Sequence, residues 1–164
     1  MKFKEFKENV EEWARVRGIY DQSTEAHQQA KALEEIGEYL TAETDEERMD
    51  AIGDIAVCIV NAAKLDGQSV RIEFNDDLEG IEGIGDIAYS IIHHEYGLAL
   101  GELSILSFSD TRRNIELCLE KAWNEIKDCK GMMIDGKYVK WESMSDEQKS
   151  EFNRRDSGNT LIRS

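Results

Sequence analysis

The segments Lys31-Ala-Leu-Glu34-Glu35-Ile-Gly-Glu38-Tyr-Leu40 and Met49-Asp50-Ala-Ile-Gly-Asp54-Ile-Ala56 decide the fold. On a helix, Glu35 and Glu38 are three residues apart and share a face. Asp50 and Asp54, four apart, share a face of a second helix for the same reason. The polar stretch 41–48 between them reverses the chain. Two antiparallel helices then aim four carboxylates at one another. Left unpaired, such a cluster opposes folding, because like charges at close range raise each other's pKa. A hard divalent cation removes that cost, and an all-oxygen ligand set suits Mg²⁺ or Mn²⁺ rather than zinc.

Working outward, the first of these helices is predicted over residues 24–40. Ala30, Leu33, Ile36, Gly37 and Leu40 are expected to face a core, and Gln28, Lys31, Glu35 and Glu38 form a polar row. Thr44-Asp-Glu-Glu47 is a capping box that opens the second helix, and Asp66-Gly67 closes it. After Asp54 that helix is apolar nearly all round, which places it at the centre of a bundle and puts Asp50 and Asp54 near the core. Asn61 lies seven residues beyond Asp54, on the same face. It reads either as a satisfied buried amide or as a contact to a sugar or base.

Other helices flank this pair. Phe3, Phe6, Val10, Trp13 and Val16 predict an amphipathic helix over 2–17, ended by Gly18, with a loop over 19–23. Val70–Phe74 alternates as a short strand would. A long helix is expected over 78–106, broken at Gly97 or Gly101. Within it, Ile84-Gly-Asp86-Ile-Ala88 echoes Ile52-Gly-Asp54-Ile-Ala56, but no matching acidic helix accompanies it, so it is not read as a second site. His93 and His94 lack a same-face glutamate at three residues, so they are read as packing or surface residues rather than ligands. Ser109 or Asp110 is expected to cap a helix that runs to Lys130. Two short apolar runs around Asp135-Gly136 predict a β-hairpin with a type I′ turn. A short helix follows Ser145, whose capping box closes with Gln148, and the polar tail 154–164 is expected to be loose.

The bulk composition agrees with an all-α fold. The chain has 164 residues, no proline, 34% charged residues and 40% apolar ones, enough for a lean core that an oligomer would extend. A net charge of −15 disfavours nucleic acid and anionic membranes as partners. An anionic substrate therefore needs a metal ion and a local basic patch. Cys58, Cys118 and Cys129 are scattered and lack C-x-x-C spacing, which argues against a zinc site or a disulfide scaffold. No apolar run is long enough for a membrane span and no signal peptide is seen, so a cytoplasmic location is expected.

Glu34-Glu35-x-x-Glu38, followed by a helix with an acidic-Ile-Gly-Asp pattern, resembles the MazG-like all-α nucleoside triphosphate pyrophosphohydrolases, in the forms often found in bacteriophages and prophages. Gln28-Gln-Ala-Lys31, Asp50–Asp54, Ala122-Trp-Asn124-Glu-Ile-Lys127-Asp-Cys-Lys130-Gly131 and Asp135-Gly-Lys-Tyr-Val-Lys140 carry the likeness, over roughly residues 10–64 and 112–140. The resemblance implies a helical domain over 1–140, with an insert at about 66–110 that it does not cover and a short helix and tail at 141–164. It implies cleavage of nucleoside triphosphates between the α and β phosphates, with Mg²⁺ held by Glu35, Glu38, Asp54 and Asp50. Glu34 would orient or deprotonate water. Gln28, Lys31, Asn61, Asn124, Lys127 and Lys130 would meet the substrate. Homodimers or homotetramers are implied too, with Phe3, Phe6, Val10 and Trp13 as a face for assembly. Two departures stand out. Ala51 occupies the position of the family's second-helix glutamate, leaving Asp50 to replace it, and Cys129 stands where arginine is usual. Both favour the alternative, a noncatalytic helical protein that binds a nucleotide or a partner.

Overall fold

The computed structural model describes residues 1–73 and 83–160. The chain is mainly helical. Its elements are α1 (Phe3–Val16), α2 (Ile19–Gln22), α3 (Glu25–Thr41), α4 (Asp45–Leu65), α5 (Ile84–Ile92), α6 (Tyr96–Thr111), α7 (Ile115–Ile126), strands β1 (Gly131–Ile134) and β2 (Lys137–Lys140), a 3₁₀ turn at Trp141–Ser143, and α8 (Asp146–Thr160).

Helix α4 is the axis of the bundle. Thr44 accepts from the Glu47 amide while the Glu47 side chain accepts from the Thr44 amide, so the capping box is complete. Such a cap contributes about 1 kcal/mol. From Ile55 to Ala63 the helix is buried on every side, packed against α1, α3, α6 and α7. It meets α7 closely at Gly53. A Cβ there would stand 2.6 Å from the Cys118 carbonyl oxygen and 2.7 Å from the Ala122 Cβ of α7. The glycine of the Ile-Gly-Asp pattern is thus what lets α7 lie against α4.

The core extends through the 66–110 segment. Ile87, Ile91, Tyr96, Leu100 and Leu103 of α5 and α6 join the same buried cluster as Phe6, Val10, Ile52 and Leu119. The face of α1 expected to serve assembly is covered within the chain, because α1 packs on α4 and α7; Phe6 and Val10 are fully buried. The Trp13 indole N–H donates to the Ile126 carbonyl at 2.8 Å. Cys58 and Cys118 are buried free thiols.

Several boundaries differ from expectation. Residues 19–22 form the short helix α2 rather than a loop. The expected strand at Val70–Phe74 is absent over the described residues 70–73, and its end lies outside them. The long helix breaks at His93–Glu95, with His94 at φ 64, and Gly97 sits inside α6; its start, at 78–82, falls outside the described residues. Helix α6 runs on to Thr111, so Asn114 caps α7 instead of Ser109 or Asp110. The hairpin forms as expected, with Asp135 and Gly136 at φ 50 and 79, the positive pair that a type I′ turn requires. Ser145 and Gln148 exchange the expected bonds, and α8 carries the backbone of the expected loose tail as far as Thr160.

Candidate functional site

Helix α3 has the predicted length, and Thr24 caps it by accepting from the His27 amide, but it is rotated from the predicted face. Ala32, Glu35, Ile36 and Tyr39 are buried, while Ala30, Leu33, Gly37 and Leu40 face outward, Leu40 at 65% exposure. The connection to α4 is short, and α3 packs more extensively on α4 than any other pair of elements packs together. That packing presses the Glu35 side of α3 onto α4, and Glu35 is left only 5% exposed.

Glu35 and Asp54 line one cavity of about 380 Å³, bounded by α1, α3, α4 and the hairpin. Burial pushes the Asp54 carboxyl up to about 7, and the Glu35 charge adds to the shift. Lys140 and Lys31 pull against it. Lys31, one turn before Glu35, forms an ion pair with it and stands 3.8 Å from Glu34. Burial would lower the Lys31 ammonium, but Glu35 holds it above its usual range. Glu34 lies at the rim and faces Lys137 at 3.9 Å. Lys137 and Lys140 reach the cavity from β2.

The opposite wall is aromatic and amide. Trp13 and Tyr138 meet edge to face at 5.2 Å. Arg17 lies 4.7 Å over the Trp13 ring, donates to the Tyr138 hydroxyl at 3.1 Å and to the Cys129 carbonyl at 2.9 Å, and so ties the hairpin to the end of α7. Asn61, fully buried in α4, accepts from the Tyr20 hydroxyl at 2.8 Å through Oδ1. That bond commits the carbonyl end of the amide and leaves its NH₂ end as the group to offer a ligand. Gln28 also lines the cavity, with its amide donating to Ser23 at 3.1 Å.

The expected site residues therefore divide. Gln28, Lys31, Glu34, Glu35, Asp54 and Asn61 come together around the cavity. Glu38 is exposed and is not among the lining residues. Asp50 also lies off the lining and pairs with Lys121 of α7, a lysine it shares with Glu46 and Glu125 at 3.7 Å each. Both displaced carboxylates lie toward the α3–α4 reversal. At the end of α7 and just beyond it, the exposed Lys127 donates to Asn124 at 2.9 Å, and Lys130 is exposed as well; none of the three lines the cavity. The basic residues that do are Lys31, Lys137 and Lys140. Two lysines following an Asp-Gly turn, in a chain of net charge −15, were the available signal for the last two.

No described helix is long and apolar enough to cross a membrane. No protein-family model matches the chain, and no curated protein or solved structure matches it either.

Proposed function

We propose that this cavity is the active site of a Mg²⁺-dependent nucleoside triphosphate pyrophosphohydrolase, Mn²⁺ being an alternative cation. The observation that carries the reading is the Glu35–Asp54 pair, two carboxylates sharing a confined space that three lysines border. A carboxyl pushed up to about 7 by burial and a like charge is a group that gains from a cation. The donor set is all oxygen, and so fits a hard ion. The MazG-like pattern of the sequence supports the same assignment.

In this proposal Glu35 and Asp54 hold the ion, which when bound supplies charge neutralisation to the phosphate oxygens. Lys31, Lys137 and Lys140 receive the triphosphate through charge-assisted hydrogen bonds. Lys31, paired here with Glu35, would turn to the phosphate when Glu35 served the ion. Glu34, at the rim, orients water and accepts its proton. Water oxygen bonds to the α phosphorus, the bond to the bridging α–β oxygen breaks, and pyrophosphate leaves with that oxygen. Trp13 and Tyr138 offer flat apolar surface to a base, and the Asn61 NH₂ offers a donor to base or sugar. Asp50 joins the ion only if it leaves Lys121, and Glu38 only if the end of α3 turns inward. The proposal therefore commits to one firmly held cation.

The MazG-like likeness also extends to a homodimer or homotetramer. Among the described residues, Leu40, Tyr89, Ile92 and Phe108 are the most exposed large apolar side chains outside α1. The capture of Asp50 by Lys121 and the presence of Ala51 favour the second reading, a protein that binds a nucleotide without turning it over. The deciding experiment is incubation with each NTP and dNTP plus Mg²⁺, followed by product analysis. Monophosphate and pyrophosphate are expected, and Glu35→Gln should abolish both. Binding without products would support the second reading; orthophosphate release would overturn the bond assignment.

A further inference from the structure

Away from the cavity, Glu25 at the start of α3, Asp66 at the end of α4 and His94 in the α5–α6 turn converge. Each offers a ligand atom, and these atoms lie within 4.8 Å of one another. His94 Nδ1 is 2.6 Å from a Glu25 oxygen and 3.5 Å from an Asp66 oxygen. None of the three lines the cavity described above. We propose that this cluster is a second cation site, which takes a zinc-class ion and staples the 66–110 segment to the bundle.

The geometry and the charge both support this. Ligands about 2.1 Å from a tetrahedral ion stand about 3.4 Å apart, so the present spacing needs only small side-chain movements. The imidazole turns the preference from Mg²⁺ toward Zn²⁺ or Co²⁺. Among the described residues, no lysine or arginine forms an ion pair with Glu25 or Asp66. Two carboxylates therefore share one imidazole, and even a protonated ring offsets only one of them.

An outer layer aims the ligands. The Tyr96 hydroxyl donates to Glu25 and accepts from the Gln29 amide at 3.0 Å. The Gln68 amide donates to Asp66 at 2.7 Å and to the His94 carbonyl at 3.1 Å. Such partners fix the orientation of metal-binding side chains. The side chains of His94, Asp66 and Glu25 remain 49%, 29% and 22% exposed, enough for an ion to enter and for water to complete its shell. The sequence conceals the site because its members come from three distant segments, and no two of them share a helix.

The test is a calorimetric titration of the metal-stripped full chain with Zn²⁺, on a Cys129→Ser background that removes the accessible thiol. One equivalent should bind at this cluster, beyond the one that the Glu35–Asp54 cavity accepts, and the melting temperature should rise with it. Glu35→Gln/Asp54→Asn should keep this binding, whereas His94→Ala should weaken it at least tenfold. If His94→Ala does not fold, Asp66→Asn, which keeps the side-chain shape, should show the same loss. Absence of Zn²⁺ binding, or equal affinity in the folded His94 or Asp66 variant, would overturn the proposal.

Discussion

Asp54→Asn should make the metal-free protein more stable at alkaline pH while destroying turnover. The folded Asp54 carboxyl keeps its proton up to about 7, against an ordinary value of 3.8. Folding then takes up a proton between these values. The group's contribution is fully present below about pH 4, falls as pH rises through 7, and is lost above that. At about 1.4 kcal/mol per pH unit the interval sets a ceiling of ~4 kcal/mol, and about 2 kcal/mol is expected once the surroundings relax. Asparagine cannot ionise, so it removes the penalty. The assay is urea unfolding of both proteins with EDTA between pH 5 and 8.5. The wild type should lose stability relative to Asp54→Asn from pH 5 to about 7 and level off above it, and Mg²⁺ should restore the wild type alone. Parallel pH profiles for the two proteins would refute the reasoning, since Asp54 would then titrate as it does in the unfolded chain.

Other expectations test separate parts of the structure. Gly53→Ala forces a methyl against the Cys118 carbonyl and Ala122 of α7, which should cost about 1–3 kcal/mol in urea unfolding. Lys137→Ala/Lys140→Ala should raise KM for a triphosphate about tenfold or more, with a smaller effect on kcat. It should also move the Asp54 titration to higher pH, because Lys140 lowers that pKa. Tyr20→Phe leaves the buried Asn61 oxygen without its donor, and thermal unfolding should report a loss of about 1–2 kcal/mol.

The parts of the fold legible in the sequence were those governed by local chemistry. Thr44 and Glu47 marked the start of α4, its unbroken apolar run marked its central place, and Asp135-Gly136 marked the hairpin. The facing of α3 was legible only in part. Glu35 was expected to face α4 and does, but Leu33 and Leu40 suggested a wider buried side, and packing against α4 left Leu40 in solvent. Nor did Gly97 break the helix. The turn came at His94, and the Glu73 carboxyl lies against Gly97. The start of α7 was set by the Asn114 side chain, which accepts from the Glu116 amide at 3.0 Å, after α6 had consumed Ser109 and Asp110.

Of the candidate site, Glu35 with Asp54, and Lys31 with Asn61, followed from helical spacing once the two helices were paired. Spacing could not show that Lys121 would reach across from α7 to Asp50, or that β2 would bring Lys137 and Lys140 over the cavity. Those placements depend on contacts between segments far apart in the chain.

The most direct test is a crystal structure with Mg²⁺ and a triphosphate analogue that resists cleavage at the α–β bridge. The account predicts a metal ion bound by Glu35 and Asp54, with the phosphate chain directed toward Lys31, Lys137 and Lys140. A nucleotide bound elsewhere, or a cavity in which Lys31 still pairs with Glu35 and no ion is present at saturating Mg²⁺, would contradict it.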